Sequence, residues 1–201
     1  RNHQIICIVD KNINKGKLHE VDVAINFSTP SAAVENISNA LNQGVPVICG
    51  TTGWLDAYQQ VTQTAIENKT AFLYASNFSV GVNIFFKLNK LMTEIMRPQQ
   101  EYKVSVEEIH HIHKLDAPSG TAITLAEEII EMSDIKRWSI DEEKKDSLYI
   151  QSLREGEVPG THKVIYKSSI DNIIIEHKAN NRKGFALGAV IAAEWIVGKK
   201  G

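Results

Sequence analysis

Val21-Asp22-Val23-Ala24-Ile25-Asn26-Phe27, the helical pattern from Ser31 to Asn42, and Val45-Pro46-Val47-Ile48-Cys49 read together as one strand–helix–strand unit. Both apolar runs are short, nearly continuous and closed by small or polar residues. That pattern marks strands covered on both faces, and a helix between two such strands is the crossover of a parallel sheet. The pattern extends outward in both directions. Gln4 to Val9 reads as an earlier strand ending at Asp10, Asp56 to Asn68 as a further helix, and Ala71 to Tyr74 as a further strand. Parallel sheets of this kind bind ligands beyond the carboxyl ends of their strands. Here those positions are Asp10, Phe27 to Pro30, Gly50 to Gly53 and Ala75 to Phe78.

Composition narrows the class. A chain of 201 residues with 43% hydrophobic content can bury a substantial core, in one domain or two small ones. A net charge of −2 and the lack of a dense basic run argue against a nucleic-acid partner, with Lys136-Arg137 and Lys144-Lys145 read as solvated charge. No run approaches the ~20 apolar residues that cross a bilayer, and no signal peptide opens the chain. Cys7 and Cys49 lie in apolar, strand-like runs and read as buried reduced thiols, which suits a cytoplasmic protein.

Beyond Ser79 the pattern changes. Val80 to Met96 reads as a helix, and strands are expected at Tyr102 to Ile109, Ser147 to Arg154, Lys163 to Ser168 and Ile173 to Lys178. These are long and suited to antiparallel pairing. Asp134 to Asp146 reads as a charged connection, and Phe185 to Val197 as a helix rich in small residues.

From the end of the first of those strands runs Glu107-Glu108-Ile109-His110-His111-Ile112-His113-Lys114-Leu115-Asp116-Ala117-Pro118-Ser119-Gly120-Thr121-Ala122. Adjacent histidines exchange protons near neutral pH, a lysine holds or protonates an anion, and Ser119-Gly120-Thr121 opens a periodic run to Met132 whose first amides suit a carboxylate. His111 and His113 would share one face of an extended segment, as metal ligands can, but no cysteine or further acid with ligand spacing accompanies them, so no metal is assigned. Asp116 is expected to orient Lys114 or to cap the helix.

This segment resembles the signature of the dihydrodipicolinate reductase (4-hydroxy-tetrahydrodipicolinate reductase) family. The resemblance continues through Asn26-Phe27-Ser28-Thr29-Pro30, Cys49-Gly50-Thr51-Thr52-Gly53-Trp54, Ala75-Ser76-Asn77-Phe78-Ser79-Val80-Gly81-Val82-Asn83, Arg154-Glu155-Gly156, Pro159-Gly160-Thr161-His162 and Arg182-Lys183-Gly184-Phe185-Ala186. It implies an α/β chain with a Rossmann-like parallel sheet, N-terminally incomplete, in residues 1–78 and 184–201. A smaller α+β substrate-binding and oligomerisation domain with a mixed sheet would occupy residues 79–183. No glycine-rich turn precedes Asp10, so the chain is read as a fragment that starts near the second strand of such a fold and lacks a short tail.

The implied reaction is NADH- or NADPH-dependent reduction of a cyclic dicarboxylate to tetrahydrodipicolinate, in lysine synthesis through diaminopimelate. His110 matches the family's proton donor and Lys114 its second catalytic residue. His111, Ser119, Gly120, Thr121 and Arg182 match substrate-binding positions, and His162 a position near the substrate cleft. Cofactor contacts are expected from Asp10, Phe27, Gly50, Thr51, Thr52, Ala75, Ser76, Asn77 and Phe78. An acid at the position of Asp10 bonds ribose hydroxyls, or serves as a turn aspartate. A homotetramer through the second-domain sheet is implied, and the alternative is a catalytically silent oligomerising module derived from the family.

Overall fold

The structure is a computed structural model, and it describes residues 2–141 and 146–201. The pair Lys144-Lys145 therefore lies outside the described residues. The chain divides into two compact units, Arg1–Phe78 with Ala186–Gly201, and Ser79–Phe185.

In the first unit β1 (Ile8–Asp10) and β2 (Ile13–Lys15) form a separate antiparallel pair, in which Asp10 faces Ile13 across the Lys11-Asn12 turn. The expected first parallel strand, Gln4 to Val9, is therefore corrected. Its apolar character sets strand tendency but not the partner, and the nearest partner across a tight turn takes its hydrogen bonds. Ile5 and Val9 stay exposed, and Cys7 lies outside any strand and is only partly buried.

The parallel sheet itself is β3 (Ala24–Asn26), β4 (Val47–Cys49) and β5 (Phe72–Tyr74), in that order, with α1 (Pro30–Asn42) and α2 (Tyr58–Glu67) as crossovers. Pro30 starts α1 at the position where proline costs no hydrogen bond. Every residue of β4 is buried, which explains its continuous apolar run. Val47 and Cys49 join Ile37 and Leu41 of α1 and Val61 of α2. Ile48 turns the other way, onto Ala189, Ala193 and Ile196 of the chain's last helix.

The second unit begins with α3 (Val80–Met96), whose N-cap Ser79 accepts the Val82 N–H. β6 (Lys103–His110), α4 (Gly120–Glu131), β7 (Arg137–Ser139), β8 (Ser147–Arg154), β9 (Thr161–Lys167) and β10 (Asn172–Lys178) follow, and α5 (Lys183–Ile196) completes the chain. The five strands form one mixed sheet ordered β10-β9-β6-β8-β7, with β6–β8 and β8–β7 parallel and the other pairs antiparallel. The expected charged connection hides β7. A run as short as Arg-Trp-Ser carries no periodic signal, and its pairing with β8 makes it a strand.

Alternation along β6 sorts its side chains. Val106, Glu108 and His110 are buried on the helix-covered face, where Val106 packs with Leu125 and Ile129 of α4, Ile150 of β8 and Val164 of β9. Each fully buried aliphatic side chain there contributes about 2 kcal/mol by leaving water. The opposite face carries the Glu107–Lys163 ion pair at 2.7 Å and the half-exposed Ile174. Among the described residues no helix is long and apolar enough to cross a membrane.

Candidate active site

Two positions beyond the apolar core of the second unit, the sheet turns polar in one step. In β6–β8–β9 register the row Ile150–Val106–Val164 is followed by Ser152–Glu108–His162, and Arg154 pairs with His110 at the strand end. Ile109 separates Glu108 from His110, so alternation places both on one face. β6 ends at His110, and His111 begins a turn closed by the Lys114 N–H to His111 carbonyl bond of 3.1 Å. The adjacent histidines therefore diverge at a strand end.

Glu108 is fully buried. Its Oε1 accepts the Ser119 N–H at 3.0 Å and an Arg154 Nη2 hydrogen at 3.3 Å. Its Oε2 faces His110 Nδ1 at 3.1 Å and His162 Nε2 at 3.8 Å. Burial alone would raise this carboxyl, but the contacts with His110, Ser119 and Ser152 outweigh it and hold the group well below the usual carboxylate range. His162 moves in the other sense for an imidazole. Burial, reinforced by His110, pushes it down to about 3 against the pull of Glu108, so it is neutral at physiological pH.

Glu108, His110 and His162 offer three ligand atoms within 4.8 Å of one another, a spacing that would suit a cation. The chemistry of the set fits poorly. One carboxylate oxygen is already taken by an amide and a guanidinium, and that guanidinium places a permanent positive charge on the same carboxylate. The arrangement reads as a buried ion-pair and hydrogen-bond network centred on Glu108.

The anion-binding groups stand around it. Lys114 Nζ is held at 2.7 and 2.8 Å by the two Asp116 oxygens, so Asp116 serves the lysine, while Ser119 caps α4 by accepting the Ala122 N–H at 3.2 Å. The Ser119 hydroxyl also meets His162 Nε2 at 3.2 Å. Of the three residues expected to meet a carboxylate, Ser119 already spends its amide on Glu108, and Gly120 and Thr121 form the first turn of α4. Arg182 donates to His111 Nε2 at 2.7 Å. Burial and then Arg182 push the His111 imidazole below its ordinary range. His113 turns away to Glu157, 3.4 Å off. The second unit thus brings together His110, Lys114, Ser119, Gly120 and Thr121 through one segment, and His111 with Arg182 beside them.

In the first unit the loops after β3, β4 and β5 are laced together. Gly50 N–H donates to Asn26 O, the Thr51 hydroxyl to Ser28 O and Ala75 N–H to Cys49 O, at 3.0, 3.1 and 3.2 Å. Phe27 is half exposed and stands edge-to-face with the buried Phe78, 5.9 Å between ring centroids. A Cβ on Gly50 would come within 2.2 Å of the Phe27 ring, so only glycine leaves that ring in place. Thr52 is exposed, and Ala75, Ser76 and Asn77 are partly buried. Asp10 lies apart in the β1–β2 hairpin, its carboxylate accepting the Lys11 N–H at 2.6 Å, as a turn aspartate does.

Glu108 and Arg154 stand in the sequence motifs with no role attached to them. Alternation gives a usable signal for Glu108, which shares a strand face with His110. Arg154 carries no such signal, since its partners lie across the sheet.

Residues 3–78 match the family described as "Dihydrodipicolinate reductase, N-terminus", and residues 81–201 match "Dihydrodipicolinate reductase, C-terminus". A curated "4-hydroxy-tetrahydrodipicolinate reductase" of Christiangramia forsetii is 50% identical over 204 aligned positions, spanning 100% of this chain and 85% of the relative. One of the same name from Methanoculleus marisnigri is 39% identical, over 96% of this chain and 75% of its own. Among solved structures, the dipicolinate-bound dihydrodipicolinate reductase of a Paenisporosarcina species superposes with a TM-score of 0.69 at 28% identity, over 89% of this chain and 70% of that one.

Proposed function

The chain belongs to the dihydrodipicolinate reductase family, and from that premise we propose that it reduces the family's cyclic dicarboxylate with the side chains gathered around Glu108. The activity is that of a 4-hydroxy-tetrahydrodipicolinate reductase of lysine synthesis through diaminopimelate, an oxidoreductase that uses NADH or NADPH. The observation that carries the assignment of roles is the pairing of His110 Nδ1 with the buried Glu108 carboxylate, at a strand end one turn from Lys114.

The chemistry sets three demands. Two electrons and a hydrogen must reach the ring as hydride, a proton must reach the neighbouring atom, and two carboxylates must be neutralised. When the 4-hydroxy compound is the starting material, one water also leaves. The exposed Phe27 ring, the small Gly50 and the laced Thr51, Thr52 and Ala75 to Phe78 loops fit the flat, amide-bearing half of a nicotinamide dinucleotide. Bound there, the dihydronicotinamide supplies the hydride. Asp10, in its own hairpin, is the proposed ribose contact.

His110 donates the proton. Its imidazole is nearly enclosed, its buried nitrogen is Nδ1, and Nε2 is the nitrogen that can reach a ligand. Lys114 supplies a cation for a substrate carboxylate, with Asp116 holding the ammonium until the substrate shares it. Arg182 offers the second fixed cation, and His111, tied to it, a hydrogen-bonding surface. Gly120 and Thr121 present the first turn of α4 to the anion. That the similar Paenisporosarcina enzyme carries dipicolinate, a planar ring dicarboxylate, supports this substrate class. We read the protein as cytoplasmic and as a homotetramer formed through the outer face of the five-stranded sheet, where Ile174 is 52% exposed.

The deciding experiment follows the oxidation of NADH and NADPH in the presence of freshly generated substrate, for the wild type and His110→Gln. We expect a loss of turnover of about 100-fold or more in the variant, with a small change in KM. A variant in which only KM moves removes His110 from the proton-donor role. Sedimentation velocity tests the tetramer.

A further inference from the structure

On the reading that His110 is the proton donor, we infer that Glu108 and Arg154 are the positioning residues that fix the donor ring, the Lys114 loop and the start of α4 in one register. Glu108 acts on His110 directly. Arg154 acts through backbone carbonyls.

A carboxylate with no exposed surface persists only where its neighbours replace water. Those neighbours come from three elements. Ser119, the cap of α4, gives its amide to Oε1, and Arg154 of β8 gives Nη2 to the same oxygen. His110, on β6 with Glu108 itself, brings Nδ1 to 3.1 Å from Oε2 in an ion-pair contact, and both atoms are buried without a hydrogen-bond partner among the described residues. Arg154 then carries the linkage outward. Its Nε donates to Lys114 O at 3.3 Å and its Nη2 to Asp116 O at 2.6 Å, clamping both ends of the segment that presents the lysine. A third donor, Nη1, binds Leu153 O at 2.7 Å and fixes the guanidinium plane. Arginine alone has enough donors in one plane for this clamp.

The consequence for the reaction is a fixed tautomer. When His110 releases a proton from Nε2, the proton left on Nδ1 stays opposite the Glu108 carboxylate, so the ring neither flips nor tautomerises between turnovers. Among the described residues, the charged and titratable groups around that ring are Glu108 and His111 on its own segment, His162 of β9, Arg154 of β8 and Lys114 of the following loop, and of these Glu108 is the buried anion.

The test compares Glu108→Gln, Arg154→Lys and His110→Gln by steady-state kinetics, and the wild type with Glu108→Gln by nitrogen-15 NMR. Glutamine keeps an acceptor for the Ser119 amide and removes the charge. We expect turnover of Glu108→Gln to fall about 10- to 100-fold with KM nearly constant, and its neutral His110 ring to lose the preference for a proton on Nδ1. Arg154→Lys keeps a cation and loses the clamp, so KM should rise several-fold while turnover changes far less. A Glu108→Gln variant with wild-type turnover, or one whose His110 keeps the wild-type tautomer, overturns the inference. Nitrogen-15 NMR of wild-type His110 supplies a check that needs no variant. The neutral ring should carry its proton on Nδ1, and an Nε2–H tautomer overturns the inference. Unchanged turnover in His110→Gln defeats the donor reading and this inference with it, whereas loss there beside an unchanged Glu108→Gln defeats this inference alone.

Discussion

Glu108 on β6 and His162 on β9 are direct cross-strand partners with 3.8 Å between Oε2 and Nε2, and yet the histidine is held neutral beside the carboxylate. Burial decides the matter for His162, because its Coulomb attraction to Glu108 is spent against the desolvation of a ring that is 4% exposed. The two groups thus divide the labour of one buried site. At neutral pH one is an anion and the other an uncharged packing and hydrogen-bonding surface.

That division predicts a pH-dependent stability. His162 titrates at about 3 when folded, against 6.5 for an imidazole in water, so between those values the unfolded chain binds the extra proton. Its contribution is complete above pH 6.5 and drains away as the pH falls toward 3. Glu108, whose folded carboxyl lies below its ordinary 4.5, keeps its contribution above that value and loses it only in more acid solution. Between about pH 7.5 and about pH 5 the His162 share alone should cost about 2 kcal/mol. Urea titrations of the wild type and His162→Asn at both pH values check this. The variant should lose about 2 kcal/mol less on acidification, and equal losses would mean that His162 takes up its proton in the folded state.

The Lys114–Asp116 pair leads to a second prediction, in which two neighbouring substitutions move KM in opposite directions. Lys114→Gln removes the cation and should raise KM for the dianionic substrate about 10-fold or more. Asp116→Asn should lower it a few-fold, since it frees the ammonium while Arg154 still holds the Asp116 carbonyl in place. A rise in KM for both would mean that the Asp116 carboxylate is needed to aim the lysine. Steady-state kinetics at saturating NADPH distinguishes the two cases.

The parallel core, the three helices before the site and most long strands can be read from apolar periodicity, because each buries a face along its own length. Three features cannot. Gln4 to Val9 is apolar enough for a strand, but its partner is chosen by the local Lys11-Asn12 turn. β7 is too short to show a period. His162 stands just ahead of the strand that periodicity suggests, whereas the strand in fact starts two residues earlier at Thr161, which brings His162 into it as the cross-strand partner of Glu108. Within the site, the motif supplies the reacting groups in one segment, whereas the Arg154 clamp depends on β8 lying parallel beside β6, which is information held by topology.

The exposed Phe27 ring predicts a clean separation of cofactor binding from folding. Phe27→Ala removes a side chain that is 55% exposed and packs edge-on against Phe78, so the thermal midpoint should move little. Affinity for NADH and NADPH should fall about 10-fold through loss of the apolar platform. Fluorescence titration with each dinucleotide measures it. Unchanged affinity for both would shift the nicotinamide away from the β3 loop.

Gly160 tests how closely the two imidazoles are packed. It has φ +151°, a conformation that side-chain-bearing residues rarely adopt, and a Cβ there would stand 3.1 Å from His110 Nε2 and 3.8 Å from His162 Cε1. Gly160→Ala therefore combines backbone strain of about 1–3 kcal/mol with a push on the nitrogen that faces the substrate. Its carbonyl also receives the Ala179 N–H at 2.9 Å, so the strand-end geometry resists a compensating rotation. We expect a folded protein with a lowered thermal midpoint, turnover reduced about 100-fold and KM changed far less, since Lys114 and Arg182 are not displaced by the new methyl group. Circular dichroism melting beside steady-state kinetics reads both effects. Full turnover at a reduced midpoint would show that His110 has room to move aside without losing its function.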